Sequence, residues 1–304
     1  MFLFLCGKKD DKAKSFNLKE LEKSLRYIPM GSYMFEDSME MSNDKIKMKI
    51  ACVNSFYMCN HVVTNSEYRI FINELKSVDT ALYRKMCPDT LIWRNKLAFM
   101  EDLIKYYFSH PAFANYPVVG VSHEQAEYYC KWLTERYMKE PQRKFKNGVF
   151  KLPDVYQWDW AAHGGLAASP FPWGGPYVRN NKGQMLANFM HVAEQSIKRE
   201  NDTCTNNGKL IVINYGSGDF LGIGGDLSDA ADITSPVCGY WPNGYGLYNM
   251  AGNVEEYVSE VGITKGGGWG DPAYYLQIWV EKPYSNAQYA SSETGFRVIM
   301  EVVK

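Results

Sequence analysis

Several things are missing from this 304-residue chain, and each absence removes a class of function. Its seven cysteines, at 6, 52, 59, 87, 130, 204 and 238, form no Cys-x-x-Cys pair, which argues against a zinc ribbon or a thioredoxin-like centre. Its five histidines, at 61, 110, 123, 163 and 191, include no His-x-x-x-His pair and no His-Glu-x-x-His, so the usual helical metalloenzyme signatures are lacking. There is no nucleotide-binding loop and no nucleophile elbow. The formal net charge is −1, too small to mark a nucleic-acid partner. No internal repeat is visible. The opening apolar run ends at Cys6 and is far too short to span a bilayer.

What the chain does have is core material and aromatic rings. Apolar residues make up 46% and aromatics 15%, including 22 Tyr and 8 Trp, as expected of a loop-rich fold held by large rings. The leader Met-Phe-Leu-Phe-Leu-Cys-Gly-Lys-Lys is similar to the end of a bacterial lipoprotein signal, with Cys6 as the lipid-accepting residue and a polar tether behind it. An N-terminal strand is the other reading. Residues 1–26 thus form a leader with a short amphipathic helix (leucines at 18, 21 and 25), and 27–304 form one domain.

Along the chain, residues 27–35 read as strand. A helix then begins at Thr64 or Asn65, with Tyr68, Phe71, Ile72 and Leu75 as its apolar face. Residues 78–115 form an elaborated loop with helical turns, and 116–121 a short buried strand. Ser122 followed by Gln125 is a capping box opening a helix lined by Ala126, Tyr129, Cys130 and Leu133. A strand from Phe150 leads into a helix opened near Pro153-Asp154 and closed by Gly164-Gly165. Residues 166–240 are rich in Gly, Asn, Asp and Pro and read as long surface loops, of the kind usually held by something. Two strands, from Ile263 and from Thr294, close the chain around an irregular aromatic segment.

The densest stretch is 243–257, Asn-Gly-Tyr-Gly-Leu-Tyr-Asn-Met-Ala-Gly-Asn-Val-Glu-Glu-Tyr. Asn249 and Glu256 offer side-chain oxygens, while Gly244, Gly246 and Gly252 let the backbone turn and present carbonyls. A hard cation such as calcium favours that mixture. The same amides also serve as ordinary turn formers bonded to their own backbone.

Seven pieces in register give the chain a family likeness: Val63-Thr-Asn-Ser-Glu-Tyr, residues 116–126, Leu152-Pro with Trp158, Pro172-Trp-Gly, residues 243–254, Lys265-Gly-Gly-Gly-Trp, and Gly295-Phe-Arg. Together they resemble the formylglycine-generating enzyme (sulfatase-modifying factor) family over residues 28–303. The resemblance implies an α+β, much-elaborated C-type-lectin-like fold. The insertion, with Pro88-Asp-Thr-Leu-Ile-Trp-Arg and residues 107–121, and the run 265–276 are similar to non-catalytic gliding-motility and type IX secretion lipoproteins of Bacteroidota.

That likeness carries further expectations. Catalytic members bind copper through two cysteines just after the Gly-Gly-Ser-Trp-like strand, and here Asp271 and Leu276 stand at those positions. A carboxylate and an aliphatic cannot replace two thiolates. Glu255 stands where the family usually has Trp, Tyr257 replaces another Trp, and Gly268 replaces Ser. One calcium site maps to Asn249, the Gly252 and Val254 carbonyls and Glu256. A second maps to Asn188, the Phe189 carbonyl, Asp229 and the Ala231 carbonyl. The expectation is a non-catalytic, calcium-stabilised lipoprotein on the periplasmic face of the outer membrane. Its partners would be proteins of a gliding-motility or type IX secretion assembly, as a ring or homo-oligomer, with the membrane reached through a lipid anchor and no nucleic acid. The rival readings are a metal-dependent oxidoreductase of the same superfamily and a lectin-like peptide or glycan binder.

Overall fold

The computed structural model describes residues 15–36, 48–94, 100–166, 169–190 and 233–303, together with the backbone of 198–199 and 213–214. Cys6, Asp229 and Ala231 lie outside the described residues.

Helices form where the caps predict them. Asn17 caps α1 (Leu18–Ser24) through its side-chain oxygen. Thr64 and Glu67 close a reciprocal capping box on α2 (Asn65–Val78), which buries Tyr68, Phe71, Ile72 and Leu75 as the periodicity requires. The loop reading of 78–115 resolves into α3 (Thr80–Met86), α4 (Glu101–Tyr106) and 3₁₀ turns at Thr90–Trp93 and Pro111–Phe113. Ser122 and Gln125 cap α5 (His123–Met138), whose inward face adds His123 and Tyr137 to the expected four residues. Asp154 and Gln157 cap α6 (Val155–His163), and Gly164 ends it in the left-handed conformation, at φ 60°.

The strands are short. They are β1 (Leu25–Ile28), β2 (Gly31–Glu36), β3 (Met48–Val53), β4 (Phe56–Cys59), β5 (Gly148–Lys151), β6 (Lys198–Arg199), β7 (Ile213–Asn214), β8 (Glu255–Tyr257), β9 (Ile263–Lys265), β10 (Glu281–Pro283), β11 (Thr294–Phe296) and β12 (Ile299–Val302). One sheet runs β1-β4-β12-β5, antiparallel throughout. A second runs β10-β9-β8-β11, with β8 and β11 parallel. The pairs β2-β3 and β6-β7 stand apart as two-stranded ribbons. The final strand of the chain therefore lies between β4 and β5, and its neighbour β11 belongs to the other sheet. The chain crosses between the two at Arg297 and Val298.

The expected strand at 116–121 does not form a ladder. Pro117 makes only an isolated bridge with Thr64, and the Val118 amide donates to the Val63 carbonyl at 2.9 Å. Val118, Val119 and Val121 are nonetheless buried, so apolar content signalled burial without specifying strand pairing. Aromatic rings do much of the packing: Tyr68 stacks on Tyr129 at 5.7 Å, and both meet Phe71 and Phe296 edge-on. No helix among the described residues is long and apolar enough to cross a membrane.

Candidate functional site

The turn at 243–254 is a hub. Asn249 and Asn253 adopt left-handed conformations (φ 50° and 72°), as does Gly252 (φ 76°). At Gly252 a side chain is excluded, because a Cβ would lie 2.4 Å from the Asn188 carbonyl oxygen. Asn253 is fully buried. Its Oδ1 accepts from the Ser235 amide (2.7 Å) and hydroxyl (3.2 Å), its Nδ2 donates to the Ser235 carbonyl (3.1 Å), and its backbone amide donates to Asn188 O (2.7 Å). Asn188 Nδ2 donates to Ile233 O at 2.7 Å, and Asn249 Nδ2 to Val237 O at 3.1 Å. The two loops around 188 and 235 are thus tied to the turn by amides, as turn-former chemistry permits.

Two acceptors in this hub have no protein donor among the described residues. Asn249 Oδ1 and Asn188 Oδ1 are buried and unpartnered. A buried carbonyl-type oxygen left unpaired costs about 1–3 kcal/mol. Asn249 also lines a small cavity of about 40 Å³ with Trp173, Trp241 and Leu186, large enough for an ion or a water. The donor set of neutral oxygens fits a hard cation. Among the described residues no three His, Cys, Asp or Glu side chains converge as a metal-binding group, so any such ion would rest mainly on amide and backbone oxygens.

Glu256 is placed differently from its neighbours. It is 1% exposed and lies against Arg297, which is 0% exposed. Arg297 Nη2 donates to Oε1 at 2.7 Å, Nε donates to both oxygens at 3.1–3.2 Å, and Trp158 Nε1 donates to Oε2 at 2.9 Å. A carboxylate offers about four lone-pair positions, and these bonds occupy them. Arg297 also donates to the Cys59 and Tyr248 carbonyls, so one guanidinium ties β4, the hub and β8 together.

The segment 266–276 begins with two left-handed glycines, Gly266 (φ 86°) and Gly267 (φ 68°). Asp271 is buried. Its Oδ2 accepts from the Gly268 amide (2.8 Å), and both its oxygens accept from Lys282 Nζ at 2.7 and 2.9 Å. Lys282 also lies 3.2 Å from Glu255 and 3.5 Å from Glu293. Glu255 is 1% exposed and accepts from the Thr264 and Thr294 hydroxyls. Burial alone would depress the Lys282 ammonium, but the charges of Glu255, Asp271 and Glu293 outweigh it and hold it above its ordinary value. Burial holds the Glu293 carboxyl above its usual range, opposed by Lys282 and reinforced by Asp271 and Glu255. Leu276 is fully buried in an apolar cluster with Phe171, Met185 and Phe189. These positions therefore hold an ion pair and a core side chain, and the four charged residues of the Lys282 cluster come from four separate segments.

A family model, the sulfatase-modifying factor enzyme 1-like domain, matches residues 12–302. The chain belongs to this family. It is 26% identical over 262 residues to the formylglycine-generating enzyme of Mus musculus, covering 77% of this chain and 57% of the relative. It is 24% identical over 278 residues to the inactive C-alpha-formylglycine-generating enzyme 2 of Bos taurus, covering 81% and 76%. The chain spans little more than half the length of the mouse enzyme and of the bovine formylglycine-generating enzyme, at 57% and 56%. Among solved structures it is similar to PvdO from Pseudomonas aeruginosa, with TM-score 0.54, 17% identity, and 91% and 94% of the two chains covered. CarF gives TM-score 0.53 and 16% identity, covering 92% and 98%. Those likenesses show the fold, which is the α+β, formylglycine-generating-enzyme type expected from the motifs.

Sequence reasoning did not find Lys282 or Glu293. Their partners lie on other segments, and no local pattern announces an ammonium set among three carboxylates. Arg297 was visible only as the last residue of Gly-Phe-Arg. Its bond to Glu256 follows from the parallel pairing of β8 and β11.

Proposed function

We propose that this member of the sulfatase-modifying factor family is non-catalytic and works as a structural and interaction domain. The observation that carries the reading is the chemistry at the two positions where the family resemblance puts the copper-binding cysteines. Asp271 is locked to Lys282 at 2.7 Å and Leu276 is sealed in the core. Neither offers a soft ligand, and a neighbouring ammonium opposes any metal cation. An inactive relative of the same family shows that the fold exists without activity.

Calcium completes the proposal as a structural ion. Asn249 Oδ1 with the Gly252 and Val254 carbonyls would hold one ion. Glu256 would join only by exchanging a bond from Arg297 or Trp158. Asn188 and the Phe189 carbonyl would supply the described half of a second site, with Asp229 and the Ala231 carbonyl as the remainder. The ion would fix the hub against the loops it bonds. The likeness of the insertion and of 265–276 to gliding-motility and type IX secretion lipoproteins supports an envelope assembly as the setting, with Cys6 carrying the lipid at the outer membrane.

The test is an assay of the purified chain, loaded with copper under reducing conditions, on a cysteine-containing peptide. No aldehyde product and no copper retained through gel filtration are expected. Turnover to an aldehyde overturns the reading. For the anchor, Cys6→Ser is expected to move the protein from the membrane to the soluble fraction; unchanged distribution would remove that part.

A further inference from the structure

Helix α5 packs on one face of the sheet β1-β4-β12-β5. Tyr137 meets the Phe150 ring edge-on at 5.4 Å, and Met300, opposite Phe150, is buried. The register sets Met300 opposite Tyr57 and Tyr57 opposite Tyr27, and residues directly opposite share a face. Val302, two residues beyond Met300, lies on it as well. Away from the helix this face is open: Tyr27 is 55% exposed and Val302 44%. Its rings are contiguous, with Tyr27 5.5 Å from Tyr57 and Tyr57 4.7 Å from Phe145.

Phe145 belongs to the loop after α5, Lys139-Glu-Pro-Gln-Arg-Lys-Phe-Lys146. The loop is held in shape. Arg143 donates from Nε to the Lys146 carbonyl (3.2 Å) and from Nη1 to the Glu140 carbonyl (3.0 Å), and the Phe145 amide donates to the Tyr137 hydroxyl (3.0 Å). Lys144 Nζ stands 5.2 Å from the Phe145 ring centre, and Lys139, Lys144 and Lys146 are all exposed. Helix α1 lies alongside, because Glu22 accepts from the Lys144 amide (2.6 Å) and the Tyr137 hydroxyl (3.0 Å). Together α1 and the loop hold six basic residues against three acidic ones, in a chain of net charge −1. Of the acids, Glu22 is engaged as described, Glu140 pairs with Arg136, and Glu20 stands in the first turn of α1. Glu301, next to Val302, is on the opposite face and pairs with Lys151 at 2.8 Å.

We infer that this face docks on an anionic phospholipid surface. The excess of exposed lysines selects an anion, and the groups between them select lipid among anions. Tyrosine and phenylalanine rings settle at the headgroup level of a bilayer, and lysine stems cover apolar surface while their ammonium groups reach the phosphates. Rings alone would also suit a single-stranded nucleic acid. Val302 and Val303, 44% and 53% exposed, offer no surface for a base to stack on and gain only from an apolar layer. The path of the chain favours the same occupant. Phe16 packs edge-on against Trp132 at 6.4 Å, beneath the Arg136 guanidinium at 4.7 Å, and α1 then leads to the lysine loop. Cys6 stands ten residues before Phe16, at most about 35 Å of extended chain. A lipid on Cys6 would therefore hold this side of the domain close to the bilayer. The inference rests on the reading of Cys6 as the lipid-bearing residue and deepens it by naming the face turned to the membrane.

The experiment uses the full chain as Cys6→Ser, so that binding owes nothing to the anchor. Co-sedimentation is measured with vesicles of phosphatidylcholine alone and of phosphatidylcholine with phosphatidylglycerol, at low and high salt, and heparin serves as a soluble polyanion. The parent is compared with Lys139→Gln/Lys144→Gln/Lys146→Gln and with Tyr27→Ser, all at exposed positions. Binding is expected on the anionic vesicles, much less on phosphatidylcholine, and falling with salt. Each lysine near an anionic bilayer is worth about fivefold in affinity, so the triple variant should lose well over tenfold. Tyr27→Ser should lose several-fold on vesicles and nothing on heparin, and both variants should keep the circular dichroism and melting temperature of the parent. A parent that ignores anionic vesicles overturns the inference, as does a triple variant that binds them equally well. If Tyr27→Ser loses nothing on vesicles and the parent binds heparin as tightly, the face is a general polyanion site and the lipid assignment falls. Docking of this kind is released by salt, so membrane fractionation of Cys6→Ser after a high-salt wash reports the anchor separately, and either reading can fail alone.

Discussion

Arg297 donates to Glu256, to two carbonyls on separate segments, and to nothing in solvent. A buried pair gains little over an apolar substitute, but removing one partner strands the other charge. Arg297→Met is therefore expected to cost about 3–5 kcal/mol in urea denaturation. A loss under about 1 kcal/mol would mean that Glu256 has another counter-charge, and bound calcium would be the first to look for. Asp159 and Lys265 make a second buried pair, with Nζ and Oδ1 2.9 Å apart but not aligned as a hydrogen bond. Burial pushes the Asp159 carboxyl up to about 6, while the neighbouring Lys265 charge and the hydrogen bond from the Tyr33 hydroxyl restrain the rise. A folded carboxyl that holds its proton more tightly than the unfolded one favours folding at low pH. The contribution of Asp159 is thus full below about 4 and lost as pH rises through about 6. Carboxyl carbon NMR should show Asp159 titrating near pH 6; a midpoint at or below the ordinary aspartate value would contradict this.

At the scale of elements, helices and turns were legible because their signals are local. Ser122 sits three residues before Gln125, and that box formed as read; the helix starts read at Thr64 and Asp154 also close boxes, with Glu67 and Gln157. Residues 116–121 failed as a strand because apolar content reports burial, whereas a ladder needs a partner the sequence does not name. The site divides the same way. The Gly-Asn turn could be read from its residue types, but the Lys282 cluster joins segments 9 to 39 residues apart and could not. The turn's geometry is testable through its glycine. Gly252 combines φ 76° with a carbonyl 2.4 Å from the would-be Cβ, whereas Gly183 has φ 80° and open space. Gly183→Ala carries the conformational penalty alone, about 1 kcal/mol. Gly252→Ala adds displacement of the Asn188 backbone and should be clearly more destabilising in the same denaturation experiment. Equal losses would show that the 188 loop yields freely and is not fixed by the hub.

For the whole molecule, the question is what holds loops of this length in a domain with so few long strands. Aromatic packing and the Arg297 bonds, which tie β4 and the 243–254 turn to β8, explain the centre. They do not explain why two buried amide oxygens, Asn188 Oδ1 and Asn249 Oδ1, have no donor among the described residues. Unpaired acceptors at both places are destabilising in the metal-free chain and become ligands when a hard cation is present. Calcium binding to the folded state alone adds about 2.7 kcal/mol at a hundredfold excess over Kd. Chelation should therefore lower the melting temperature by several degrees, and added calcium, but not copper, should restore it. Asn249→Asp sharpens the test because its sign reverses with the ion. The added carboxylate lacks a counter-charge without calcium, so the chelated variant should melt below the chelated wild type. With calcium the extra charge strengthens binding, so the calcium-dependent rise should exceed that of the wild type. If chelation changes neither protein, the two oxygens are served by water, and the hub is held by Asn253, Arg297 and packing alone.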